Sequence, residues 1–165
     1  MRFAPAVKSL AVILLFALAS AAPAHAQHNK QIISGTWYED RAWATPDPAN
    51  NLFLTFTQTP ANKFLNITLV SCSISTYNNQ ILADVILHTG TQSGYADLGR
   101  PQSVRGAAST QAGVYNYYSV VSQTYYKVGP GRFPGLEIVA PPNSNSVPNT
   151  FVNGNCTIVG NLSDN

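Results

Sequence analysis

The sequence predicts an all-β fold, a single antiparallel β-sandwich of jelly-roll-like type, with a closed up-and-down barrel as the alternative. Three observations carry that expectation. Past residue 26 no segment sustains the i, i+3, i+4, i+7 apolar stripe of a helix. Runs rich in Val, Ile, Thr, Phe and Tyr recur at short intervals, separated by Pro, Gly and Asn. They make seven or eight short strands without an internal repeat, the pattern of a sandwich or barrel.

The elements follow in chain order. Residues 1–26 read as a secretory signal. Arg2 and Lys8 precede the apolar run Leu10–Ala19, and Ala24-His25-Ala26 places small residues for cleavage after Ala26. Ten apolar residues make about 15 Å of helix, short of a bilayer core. The expected mature chain, 27–165, is one domain of 165 − 26 = 139 residues in a secreted or periplasmic setting, without a membrane anchor.

Gln27–Gln31 is polar and expected to be loose. Ile33–Tyr38 (ISGTWY) reads as the first strand, and Glu39–Asn51 as a loop carrying Trp43. Leu52–Gln58 is a strand by composition, closed by the turn Thr59–Asn62. Lys63–Thr76 alternates on two faces at once. Leu65, Ile67 and Leu69 share one parity, and Phe64, Val70, Cys72 and Ile74 the other, so the strand either packs on both sides or crosses a bulge. Tyr77-Asn78-Asn79 is expected to turn it into a hairpin with Gln80–Thr89, using the tolerance of Asn for positive φ.

Residues 90–113, rich in Gly, Ser and Gln, read as a long irregular loop. Val114–Val128 is a tyrosine-rich strand and Leu136–Ala140 a short one. Asn153-Gly154-Asn155 is expected to turn. Cys156–Leu162 closes the fold with Cys156, Ile158, Gly160 and Leu162 on one face.

Cys72 and Cys156 are the only cysteines. In an oxidising compartment they are expected to form a disulfide between strands far apart in sequence. Two thiols without a C-x-x-C offer too few ligands for a metal site, and no cofactor is implied.

Charge narrows the function classes. The expected mature chain carries seven bases and seven acids, a net of zero, and 48 of its 139 residues are Ser, Thr, Asn or Gln. Such a surface has no basic stripe for nucleic acid. It suits a neutral ligand, either carbohydrate or another exported protein, met through hydrogen bonds.

Catalytic constellations are sparse. No H-E-x-x-H, G-x-S-x-G or phosphate-binding glycine loop is present. Asp84 and His88 share a strand face but stand about 13 Å apart. A carboxylate pair drawn from Asp84, Asp97 and Glu137 would be needed for glycoside hydrolysis. The expectation is therefore a non-enzymatic module, with a jelly-roll enzyme as a further alternative. Three N-x-[ST] sequons, at Asn66, Asn155 and Asn161, fall in predicted strands and read as chance.

Aromatic residues are the best binding candidates. Tyr115, Tyr117 and Tyr125 share one strand parity, and Tyr118 and Tyr126 the other. Rings exposed in a row on a polar sheet can stack on sugars. Trp43 joins them as a recognition residue, or else serves as a lid over the end of the sandwich.

Three segments resemble known families. Thr59–Cys72 (TPANKFLNITLVSC) is similar to a "PAGK-x-L-x-I-x-x-VS" segment, with Asn62 where that pattern has Gly, and Asn155–Leu162 (NCTIVGNL) to a "C-x-x-x-G-x-L" ending. Together they resemble a group of small secreted proteobacterial proteins of β-sandwich fold; this implies class and compartment, without an activity. Gly35-Thr36-Trp37 resembles the first strand of avidins and lipocalins, which would imply a barrel with Trp37 lining a small-ligand cavity.

Overall fold

A computed structural model describes residues 28–45, 49–104, 107–143 and 149–164. The proposed signal and its cleavage point lie outside the described residues.

Among the described residues ten strands form two antiparallel sheets. They are β1 (His28–Ser34), β2 (Trp37–Ala44), β3 (Asn51–Thr55), β4 (Lys63–Tyr77), β5 (Asp84–Gly90), β6 (Gln102–Ser103), β7 (Ala107–Ala112), β8 (Tyr115–Val128), β9 (Phe133–Val139) and β10 (Val152–Asp164). The larger sheet has the order β1-β2-β10-β4-β8-β7 and the smaller β3-β9-β5-β6. Neither sheet closes on itself, so the fold is a sandwich and the barrel alternative falls. The chain repeatedly switches between sheets, as the jelly-roll expectation requires.

The two edges of the larger sheet are built alike. Ser34 pairs with Trp37 across Gly35-Thr36, and Ala112 with Tyr115 across Gly113-Val114. Gly35 and Gly113 both have φ of +61°, and no other residue type among those described has positive φ. A glycine first in a two-residue loop gives a turn whose twist matches its strands. The ISGTWY segment is therefore a hairpin turn rather than a first strand, because Gly35 reverses the chain. Trp37 starts β2, faces outward and is exposed, so the avidin-like cavity expected of it is not formed.

Of the two readings open for β4, packing on both sides or a bulge, the bulge is the one present. Leu65, Ile67, Val70, Cys72 and Ile74 all face the core. They do so because pairing with β10 steps from Val159↔Leu69 to Gly160↔Ile67, leaving Thr68 as the extra residue. Cys72 and Cys156 are direct partners across β4 and β10, and they form the predicted disulfide with a Cα–Cα distance of 4.1 Å.

Several sequence readings are corrected. β4 and β5 belong to different sheets, so residues 77–83 cross the sandwich instead of turning a hairpin. The crossing is held by Gln80, whose buried amide donates to the carbonyls of Ala49 and Ala140 and accepts from the Phe151 N–H. Asn78 and Asn79 do not adopt positive φ. The stretch 90–113 contains β6 and β7; Ser and Thr suffice in an edge strand whose pairing is with β8 backbone. Asn153–Asn155 lies inside β10, extended because Gly154 sits beneath the smaller sheet. The tail expected to be loose is largely β1.

The core lies between the sheets. Tyr38, Ile67, Val70, Ile74, Val120, Val128 and Ile158 from the larger sheet meet Leu52, Leu54, Val85, Leu87, Leu136 and Ile138 from the smaller. Hydrogen bonds from Thr89 Oγ1 to Tyr126 Oη at 3.1 Å and from Asn29 Nδ2 to the Thr55 carbonyl at 2.8 Å link the layers.

Candidate functional site

All four aromatic candidates lie on the outer face of the larger sheet. On β2 the even positions Tyr38, Asp40, Ala42 and Ala44 are buried, so Trp37, Glu39, Arg41 and Trp43 point outward. Trp43 is thus a strand residue, neither in a loop nor a lid, and 38% of it is exposed. On β8 the odd positions point outward, and Tyr126 is buried. Tyr117 is 47% exposed and Tyr125 94%.

Each ring has a distinct setting. The Arg41 guanidinium lies 5.7 Å from the Trp43 ring centre and donates through Nε to Asn155 Oδ1 at 2.7 Å. Trp43 and a cation with further unused donors are therefore presented together. Tyr115 is half-buried. It stacks on Tyr77 with centroids 5.4 Å apart and an interplanar angle of 22°, and Phe151 packs against its edge. Tyr117 is tilted by 56° from Tyr115, so these two rings do not form one coplanar platform. Tyr115 instead buttresses its exposed neighbour.

Between Trp43 and β8 lie two central strands with short polar side chains. Cross-strand register places Trp43 beside Asn155, then Ser73, then Ser119. Arg41 stands beside Thr157, then Ser71, then Val121. At the β4 bulge a shallow depression of about 310 Å³ is lined by Thr68, Leu69, Gln123 and Tyr125. Another, of about 270 Å³, lies on the other side of Tyr125 against Arg100, Pro101 and Lys127.

Comparison with known proteins gives no match to a family model, a curated protein or a solved structure. The outer face therefore has to be read from its own chemistry. The sequence reading found its aromatic members. It missed Arg41, Tyr77, Phe151 and the serine floor, although the alternation Ser71-Cys72-Ser73-Ile74-Ser75 already pairs an apolar face with a hydroxyl face.

Asp84, His88 and Glu137 share the outer face of the smaller sheet, with Glu137 in the row between the other two, but among the described residues no hydrogen bond joins them. Asp84 accepts from Ser103 Oγ, Glu137 from Asn51 Nδ2, and Asp97 from Thr91 in the following loop. His88 is buried on the outer side of the smaller sheet, edge-on to Phe53 and over Gly135, where an added Cβ would lie 2.3 Å from its ring. Neither ring nitrogen has a partner among the described residues, so His88 meets no carboxylate. On β2, Asp40 is buried and accepts from the Thr57 N–H and the Tyr38 hydroxyl. Burial raises its pKa despite those bonds, and burial next to Asp40 raises that of Tyr38. Among the described residues no group of three or more His, Cys, Asp or Glu could hold a metal.

Burial lowers the His88 pKa below 6.5. The neutral ring is the folded form, so its contribution to stability is present above pH 6.5 and is lost as pH falls toward the folded-state pKa. His88→Phe is expected to flatten the decline in melting temperature between pH 7 and pH 5 relative to the parent. Parallel profiles for the two proteins would exclude His88 as the source of that decline.

Proposed function

We propose that the protein is an exported, non-enzymatic binding module whose working surface is the outer face of the six-stranded sheet. One observation carries this reading: Trp43, Tyr117 and Tyr125 remain exposed on one sheet face, around strands whose outward residues are uncharged from Asn153 to Ser163 on β10 and from Phe64 to Tyr77 on β4. Isolated exposed rings are ordinary, but several around a common polar field are a recognition surface. The partner is neutral, because there is no dominant charge to steer it.

Export is supported by the signal-like residues 1–26 together with the Cys72–Cys156 bridge, since disulfides persist in oxidising compartments. No helix among the described residues is long and apolar enough to cross a membrane.

The test compares the parent with a W43A/Y117A/Y125A triple variant, both immobilised, against the exported soluble fraction and the envelope fraction of the producing organism. The parent is expected to retain a component that the triple variant releases. Equal retention by both proteins would refute the assignment of this face.

A further inference from the structure

The same face indicates what kind of neutral ligand it takes. We propose that it binds an extended neutral polysaccharide, laid across the strands from Trp43 on β2 to Tyr125 on β8; this rests on the binding-face reading above.

Spacing is the first argument. β2 and β8 are separated by β10 and β4, three inter-strand steps, or about 14 Å. Tyr125 lies six residues beyond Ser119, the β8 residue in the Trp43 row, which adds about 20 Å along the strand. Rings so far apart cannot clamp the two sides of one sugar. They can stack on separate units of a chain, and the depression beside Tyr125 provides a seat for one of them.

The floor supplies the second argument. Among the described residues no side-chain hydrogen bond engages the hydroxyls of Ser71, Ser73, Ser119 or Thr157. Each can donate and accept. Arg41 uses Nε on Asn155 and keeps its other donors beside Trp43. Uncommitted hydroxyls between separated aromatic rings match a ligand that presents alternating hydroxyls and C–H faces.

Charge is the third. The outward residues of β10 and β4 in this region are uncharged, so the middle of the path offers an anionic polysaccharide no counter-charge; cations stand only at its ends, Arg41 beside Trp43 and Lys127 beside Tyr125.

The test uses the full mature chain in affinity electrophoresis through gels containing neutral polysaccharides (β-glucan, xylan, mannan, α-glucan), with the corresponding monosaccharides as soluble competitors. At least one polymer is expected to retard the protein, while its monosaccharide competes only at concentrations a hundredfold or more higher. W43A and Y125A should each weaken binding about five- to tenfold, and S73A/T157V should weaken it in an equally folded protein. Y95A, removing an exposed ring outside this face, should leave it unchanged.

Failure to bind any of these polymers, or equal competition by the monosaccharide, would overturn the polysaccharide assignment. The binding-face reading would then stand or fall by the triple-variant comparison above. Retardation that persists unchanged in both W43A and Y125A, or that Y95A weakens equally, would overturn both.

Discussion

Replacing both cysteines by alanine is expected to cost about 4 kcal/mol of stability. Cys72 and Cys156 are separated by 84 residues, and closing a loop of that length removes much of the conformational freedom of the unfolded chain. The bridge joins β4 and β10, the two central strands of the larger sheet, from the side facing the core. Its loss therefore releases the strand pair on which β2 and β8 are mounted. For a domain of this size the melting temperature should fall by on the order of 10–15 °C. Single C72A or C156A variants should be no more stable than the double variant, since each leaves a buried thiol without its partner. Thermal unfolding of the parent with and without reductant, beside C72A/C156A, checks this. A double variant melting within about 2 °C of the oxidised parent would show that the bridge contributes little to stability.

The sequence made the inward faces far more legible than the connections. The inward set of β10 was readable because a strand buried on one side alternates strictly, and the odd–even split of the β8 tyrosines was readable for the same reason. The β4 bulge was visible as a parity change between Ile67 and Val70, although which residue was extra depends on the pairing with β10. Connections were read poorly because turn residues report local flexibility, whereas sheet membership is decided by distant partners. Tyr77-Asn78-Asn79 has the composition of a hairpin turn but opens a crossing between sheets, since Gln80 finds its partners in Ala49, Ala140 and Phe151. Asn153-Gly154-Asn155 has the composition of a turn yet is strand, because the missing side chain makes room for Ile138 and Leu52. The candidate face was half legible. Its rings could be listed by parity, but the separation of Trp43 from β8 depends on the strand order β2-β10-β4-β8, which adjacency in sequence does not suggest.

Two glycines in β10 should respond differently to the same substitution, and the larger response is expected at Gly160. Both face inward in one strand, so exposure and element are matched. A Cβ at Gly154 would lie 2.5 Å from Ile138 Cδ1 and 2.8 Å from Leu52 Cδ2, the ends of side chains that can change rotamer. A Cβ at Gly160 would lie 2.2 Å from the Asn66 carbonyl oxygen and 3.0 Å from Ile67 Cα. Those atoms are backbone, held where the register between β10 and β4 shifts around Thr68. Relief at Gly154 needs only repacking, a cost of about 1 kcal/mol, whereas relief at Gly160 requires the strands to part at the bulge, at about 3 kcal/mol or more. Gly160→Ala should therefore lower the denaturation midpoint well beyond Gly154→Ala in parallel urea titrations. It should also disturb the outer depression at Thr68 and Leu69, whose shape the bulge sets, while Gly154→Ala leaves that side of the sheet intact. Equal midpoints for the two variants would mean that the bulge accommodates a methyl group, and that close backbone approach is not what requires glycine at position 160.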